Sequence, residues 1–69
     1  MSESVYKIIE LVGTSDLSWD DAARSAVETA SVTLHDLRIG EITKLDMTIE
    51  DGKVKNYRAR VSVSFRLEG

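Results

Sequence analysis

Apolar and polar positions alternate with a changing period along the 69-residue chain, and each change of period predicts a new element. Residues 4–12, SVYKIIELV, are rich in β-branched and aromatic side chains, which predicts a strand that is apolar on both faces. Residues 13–16, GTSD, have the composition of a turn. Ser18 with Asp21 three positions later resembles a capping box, so a helix is expected to begin near Trp19.

The segment after this cap has the period of an amphipathic helix. We expect about five turns, with an apolar stripe that closes at Leu37. The stripe consists of Trp19, Ala22, Ala23, Ala26, Val27, Ala30, Leu34 and Leu37. Because most of these residues are alanine, the helix can lie close to a sheet, but each contact buries little area. The sequence therefore predicts a thin core.

Two alternating runs follow, and they predict a hairpin. Glu50-Asp51-Gly52 reads as a three-residue loop with glycine in a left-handed conformation. Such a loop places Leu45 opposite Tyr57 and aligns the apolar sets of both arms, whereas a two-residue loop would break the match. It also brings Asp46 and Arg58 close together on the other face, where an ion pair is expected. The second arm, residues 54–68, outruns the helix, with a length of roughly 50 Å against roughly 28 Å.

These elements predict an α+β fold of order β-α-β-β. A right-handed crossover with the last strand between the other two gives a three-stranded antiparallel sheet that covers one helix. A chain of this length buries only about 60% of its unfolded surface, so a single domain spanning residues 1–69 needs additional stabilisation. The chain has no cysteine and therefore no disulfide, which leaves association with other copies as the favoured source.

The net charge and the hydropathy of the chain limit which classes of binding partner are expected. A net charge of −3 argues against a nucleic-acid surface, which is usually basic. No apolar run approaches the ~20 residues of a membrane span, and the first residues, MSES, lack the positive region of a secretory signal. We therefore expect a cytoplasmic protein without nucleic-acid or membrane partners.

Catalytic patterns are weak in this sequence. His35 is the single histidine, no nucleophile motif is present, and residues 12–15, VGTS, lack the glycines and lysine of a phosphate loop. The acidic residues near the predicted helix start are stabilised by the positive end of the helix dipole, so they do not require a metal ion. Trp19 is better interpreted as a core or interface anchor than as a ligand platform. Arginines on the last strand line either a solvated face or an anion-facing or lumen-facing surface; they are Arg58, Arg60 and Arg66. The sequence indicates a protein that is not an enzyme.

The chain as a whole resembles the dodecins, on the segments VYKIIELVGTS (5–15), TLHDL (33–37), DGKV (51–54) and VSVSFRLEG (61–69). The resemblance implies one helix partly wrapped by a three-stranded antiparallel sheet, assembly as a hollow homo-dodecamer, and storage or sequestration of flavins stacked between subunits. In the family a flavin-stacking tryptophan comes two residues after the leucine that here is Leu37. That position is Ile39, next to Arg38 and Gly40.

The resemblance also places the family's flavin-contacting glutamine at Arg58 and a middle-strand arginine at Asp46. The implied cofactor-binding residues are Arg38, Ile39, Gly40, Asp46 and Arg58. An aliphatic side chain cannot stack on a flavin ring as tryptophan does, so we expect binding of FMN or riboflavin to be weak or lost.

Three alternatives stay open at this point. Arg38 or Arg58 could stack a guanidinium on the flavin ring and retain binding. The sequence resembles most a dodecin branch with an arginine-plus-aliphatic corner, to which calcium is attributed, although the sequence does not identify the metal ligands. The third alternative is a purely structural or interaction protein.

Overall fold

The computed structural model describes residues 4–67. Its elements are β1 (Tyr6–Ser15), α1 (Trp19–Ala30), β2 (Leu37–Glu50) and β3 (Lys53–Arg66). The three strands form one antiparallel sheet in the order β1-β3-β2, and α1 packs on one side of it. The predicted α+β fold and strand order are therefore confirmed. No helix between residues 4 and 67 has the length and apolar character needed to cross a bilayer.

Helix α1 begins as the sequence predicts. The Oγ of Ser18 accepts a hydrogen bond from the backbone N–H of Asp21 at 3.1 Å. The carboxylate of Asp21 does not close a capping box with Ser18 but accepts the hydroxyl of Ser15 at 2.7 Å. This contact links the end of β1 to the first turn of α1, and the helix start is therefore fixed from two sides.

The predicted end of the helix at Leu37 is wrong, because α1 ends at Ala30 after 12 residues. Ser31 Oγ donates to the carbonyl of Glu28 at 2.7 Å, and residues 31–33 form turns rather than helix. Val32 and Thr33 are β-branched and have low helix propensity. Asp36 then adopts a positive φ of 64° and turns the chain into β2.

The turn predicted over residues 13–16 is also partly wrong, because β1 continues to Ser15. Gly13 is buried beneath the helix, and a Cβ added there would lie 2.0 Å from the carbonyl oxygen of Ala22. Glycine is required at this position because the strand and the helix backbone approach each other closely, not because the chain turns.

The hairpin differs from its prediction in both loop and register. The turn has two residues, Asp51–Gly52, with φ angles of 53° and 75°, as in the type I′ turn that suits strand twist. Leu45 lies opposite Ala59 rather than Tyr57. Lys55 has no Cα partner on β2, so one extra residue in β3 forms a bulge. The bulge restores the alignment of the two apolar sets that a two-residue loop alone would break.

The core is as thin as the alanine-rich stripe predicts. Its buried apolar residues are Ala22, Ala23, Ala59, Val61 and Val63. Strand β3 has 14 residues, roughly 46 Å, and α1 has 12, roughly 18 Å, so the strand outruns the helix as expected. The predicted strand end at Glu68 lies outside the described residues. Helix α1 leaves β2 largely uncovered, and Ile42 and Leu45 are 49% and 51% exposed.

Candidate functional site

The side of the sheet away from α1, which we call the open face, carries most of the predicted site residues. The register of the three strands aligns its residues in rows across the sheet, and each row contains one residue from β1, one from β3 and one from β2. In order along the sheet they are Ile8–Ser64–Ile39, Glu10–Ser62–Glu41, Val12–Arg60–Lys44 and Thr14–Arg58–Asp46.

Ile39 forms one wall of a shallow trough in the first row. Ile8 forms the other wall, and both side chains are 66% exposed. Ser64, on the central strand between them, is small, so the trough has a floor of hydroxyl and backbone groups. Its volume is about 220 Å³, and its lining residues are Ile8, Ile39, Glu41, Ser62 and Ser64. These side chains offer apolar contact and hydrogen bonds, but none supplies an aromatic ring.

The neighbours of Ile39 do not join this trough. Arg38 lies at an irregularity in the β2–β3 register, and its guanidinium binds Asp36, with Nη2 2.8 Å and Nε 3.0 Å from Oδ1. Gly40 pairs with Val63 and lies toward the helix, where a Cβ would meet Val27 at 3.5 Å. Within one chain, therefore, Ile39 alone of this predicted trio contributes to the trough.

Asp46 and Arg58 form the ion pair that the sequence predicts. They are Cα partners, and the arginine reaches both carboxylate oxygens at 2.7 and 2.8 Å. The hydrogen bond from Arg58 is the main reason that the pKa of Asp46 lies below its usual value, and Arg60 and Lys44 lower that pKa further. The same contact raises the pKa of Arg58. Both side chains are about half exposed, so solvent screens the pair.

The trough and the ion pair lie far apart in a single copy. Ile39 is opposite Ser64, whereas Asp46 is opposite Arg58, which lies six residues before Ser64 on β3. At about 3.3 Å per residue the separation is roughly 20 Å. The five predicted site residues can therefore line one ligand pocket only if different copies of the chain contribute them.

Sequence reasoning missed Ile8, Glu41, Ser62 and Ser64 as members of the trough. The alternation of β3 did place both serines on its polar face. Which residues of β1 and β2 lie beside these serines follows only from the register, and the register depends on the bulges in β2 and β3. His35, outside any helix, is exposed. Among residues 4–67 there is no group of three or more histidine, cysteine, aspartate or glutamate side chains suited to a metal ion.

Trp19 connects the start of α1 to the hairpin. Its Nε1 donates to the carbonyl oxygen of Asp46 at 2.8 Å. Its ring meets Tyr57 edge to face, with centroids 5.0 Å apart and an interplanar angle of 69°. These contacts are those of a structural anchor, and they hold the backbone that carries the ion pair.

Known proteins match almost the whole chain. The dodecin family model matches residues 5–68. Calcium dodecin of Mycobacterium tuberculosis is 38% identical over 64 residues, covering 93% of this chain and 90% of the relative. The dodecin of Thermus thermophilus is 41% identical over 64 residues, covering 93% of each.

Solved structures agree with these sequence matches. The dodecin of Streptomyces coelicolor has a TM-score of 0.93 and 42% identity, covering 100% of this chain and 99% of that one. The calcium dodecin of M. tuberculosis, described as calcium chelating with a novel calcium-binding site, has a TM-score of 0.84 and 39% identity, covering 94% and 93%. The fold, the strand order and these matches agree, and the chain belongs to the dodecin family.

Proposed function

We propose that this protein binds and stores a small ligand without catalytic turnover, in a hollow homo-dodecamer whose pockets are completed between copies. The observation that carries the proposal is the trough between Ile8 and Ile39. Both walls are 66% exposed, and no other part of residues 4–67 covers them. A site of this kind becomes enclosed only when a ligand and a second copy lie against it. We propose residues 1–69 as one domain of such an assembly.

Exposed apolar surface supports the assembly. On the helix side of β2, Ile42, Leu45 and Met47 are 49%, 51% and 38% exposed. Contiguous apolar patches of this kind mark interaction surfaces in soluble proteins. Burial of that surface contributes about 25 cal/mol per Å², which supplements a core of two valines and three alanines on the described residues.

Weak flavin binding follows from the chemistry of the trough. A flavin ring at Ile39 would contact aliphatic walls and would lack an aromatic pair worth roughly 0.5–1.5 kcal/mol beyond area burial. Arg58, at the position of the family's glutamine, has its guanidinium engaged by Asp46. Flavin retention through Arg38 or Arg58 is the second candidate, because an ion-paired guanidinium still has a free face for stacking.

Calcium is the third candidate, and it is favoured by the similarity to a protein named calcium dodecin. Calcium takes six to eight oxygen ligands. Residues 4–67 of one copy hold no acidic cluster of the required kind, so the proposed site lies between copies and uses oxygens from several of them. The cytoplasmic location and the absence of nucleic-acid and membrane partners stay predictions.

Native mass spectrometry of freshly purified protein tests the proposal, because it reports subunit number and retained ligand together. A mass of twelve subunits, with or without a guest, is the expected result. A folded monomer in dilute solution would contradict it. Titration with riboflavin, followed by quenching of flavin fluorescence, and calorimetry with calcium then separate the three candidates. Heat with calcium that vanishes when acidic residues are replaced would favour the third.

A further inference from the structure

Two cations lie opposite each other on the open face, away from the trough. Lys44 of β2 and Arg60 of β3 are Cα partners in the row that begins with Val12, and we call them the basic pair. Both residues are exposed, and within residues 4–67 no salt bridge engages either charge. Directly opposed residues have Cβ atoms about 4.5–5.5 Å apart, and like charges at that separation destabilise a sheet. An anion between the two side chains would relieve this repulsion.

A β-bulge in β2 creates the basic pair. Thr43 has no Cα partner on β3, and its Oγ1 donates a hydrogen bond to the carbonyl oxygen of Arg60 at 3.3 Å. Without this extra residue, strand alternation would place Thr43 opposite Arg60 and Lys44 opposite Ala59, on the helix side of the sheet. Bulges next to functional sites commonly re-aim a side chain in this way. The bulge therefore brings Lys44 to the face that carries Arg60.

The neighbouring acidic residues do not neutralise the basic pair by direct contact. In the next row, both carboxylate oxygens of Asp46 accept hydrogen bonds from Arg58, so these two charges cancel each other. On the other side, Glu10 and Glu41 lie one row away, which is two residues or roughly 7 Å along the strands. Within residues 4–67 neither glutamate forms a salt bridge, and at this separation solvent and salt weaken their attraction to the cations. An ion between the two cations, in contrast, would contact both.

The chemistry of the basic pair selects the class of anion. The planar guanidinium of arginine binds phosphate oxygens through two parallel hydrogen bonds, and the ammonium of lysine adds a compact charge. A phosphate group has enough oxygens and negative charge to engage both cations, whereas a carboxylate neutralises only one. We propose that Lys44 and Arg60 of each copy hold a phosphate group between them.

This phosphate has two possible sources. It is either a free phosphate ion or the phosphate ester of a guest whose ring lies in the trough. Ser64, on the floor of the trough, is four residues from Arg60 on β3, or roughly 13 Å. Both members of the basic pair belong to one copy, so the inference does not depend on the proposed assembly.

Titration with inorganic phosphate tests the site. Calorimetry measures the affinity, and urea unfolding at one protein concentration measures the stability in phosphate and in chloride of equal ionic strength. The variants are Lys44→Gln and Arg60→Gln. Lys53→Gln is the matched control, because it removes the same charge beside the hairpin turn, where no second cation lies opposite. This control also accounts for the general stabilisation that phosphate gives by exclusion from protein surfaces.

We expect phosphate to bind wild type and Lys53→Gln equally, and to bind Lys44→Gln and Arg60→Gln about 3- to 10-fold more weakly. Phosphate should raise the urea midpoint of the first two proteins more than that of the other two. In chloride, Lys44→Gln should be at least as stable as wild type, because it removes the repulsion. The same phosphate response in wild type and Lys44→Gln would overturn the inference.

Titration with FMN and with riboflavin separates the two sources. If the phosphate belongs to a guest, FMN binds wild type more tightly than riboflavin does, and Arg60→Gln removes the difference. If it is a free ion, inorganic phosphate binds and the two flavins behave alike. Failure of all three ligands to depend on Lys44 and Arg60 contradicts the inference. A monomer in native mass spectrometry would instead overturn the proposed assembly, and the phosphate test would still apply.

Discussion

Asp46 and Arg58 face each other across β2 and β3, and both carboxylate oxygens lie within 2.8 Å of arginine nitrogens. From the family resemblance, an arginine and a flavin-contacting glutamine are expected at these two positions. Here an aspartate and an arginine occupy them and form a cross-strand ion pair. The pair occupies groups that could otherwise reach a ligand, so it bears on both stability and binding.

The ion pair predicts a pH dependence of stability. Because the hydrogen bond from Arg58 lowers the pKa of Asp46 in the folded chain, the stabilisation by the ionised carboxylate is fully present above about pH 5. It is lost as the pH falls through the lowered folded-state pKa. The difference in urea midpoint between wild type and Asp46→Asn should therefore be constant from pH 5 to 7 and shrink in strong acid.

These midpoints are compared at one fixed protein concentration, since oligomer stability depends on it. Glu10→Gln is the control, because its carboxylate makes no salt bridge within residues 4–67. A difference for Asp46→Asn that persists unchanged at low pH would show that the carboxylate charge does not stabilise the fold.

Restoring an aromatic ring at the trough should restore flavin affinity. Ile39 is 66% exposed, so Ile39→Trp can be accommodated without repacking the core. Stacking worth about 0.5–1.5 kcal/mol corresponds to riboflavin binding that is about 2- to 13-fold tighter for each pair formed. Fluorescence quenching of riboflavin measures the change. Ile39→Leu is the matched control, and equal affinities for the two variants would show that this corner does not hold the ring.

Two glycines should respond differently to the same substitution. Gly13→Ala places a methyl group 2.0 Å from the carbonyl oxygen of Ala22 and must push β1 from α1, at a cost of about 1–3 kcal/mol in the free energy of unfolding. Gly40→Ala meets its nearest neighbours at 3.5 and 3.6 Å, an ordinary contact, and should change that free energy by less than about 0.5 kcal/mol. Urea unfolding followed by circular dichroism compares them. Equal effects would contradict the close helix–strand approach at Gly13.

The contacts of Trp19 predict that its replacement lowers the free energy of unfolding modestly. Trp19→Phe keeps an aromatic ring near Tyr57 but removes the 2.8 Å hydrogen bond to the Asp46 carbonyl, which should lower the free energy of unfolding by about 0.5–1.5 kcal/mol. Tyr57→Phe keeps both the ring contact and that bond, so it should cost less. The same circular dichroism assay measures both variants, and a larger loss for Tyr57→Phe would assign the anchor to the tyrosine hydroxyl instead.

Sequence patterns predicted helix and strand features correctly where interactions between residues close in sequence determine them. The cap at Ser18 and the apolar face of β3 were predictable, because capping chemistry and strand alternation depend on nearby residues. Asp46 and Arg58 are neighbours as predicted, although the loop and the register on which that prediction rested were wrong. The end of α1 was not predicted. The apolar period continues to Leu34, which stays half-buried, but β-branched residues and Asp36 end the helical backbone earlier.

By itself, the sequence determined the strand–helix–strand–strand order and the sparse core, and it predicted that other copies cover the sheet. Only the tertiary structure decided that Gly13 serves a close approach, that Lys55 bulges, and that Ile8 faces Ile39 across Ser64. The physical reason is that register and interstrand neighbours depend on contacts between residues far apart in sequence. A pattern along one strand assigns a face, but it does not specify which residues of the other strands share that row.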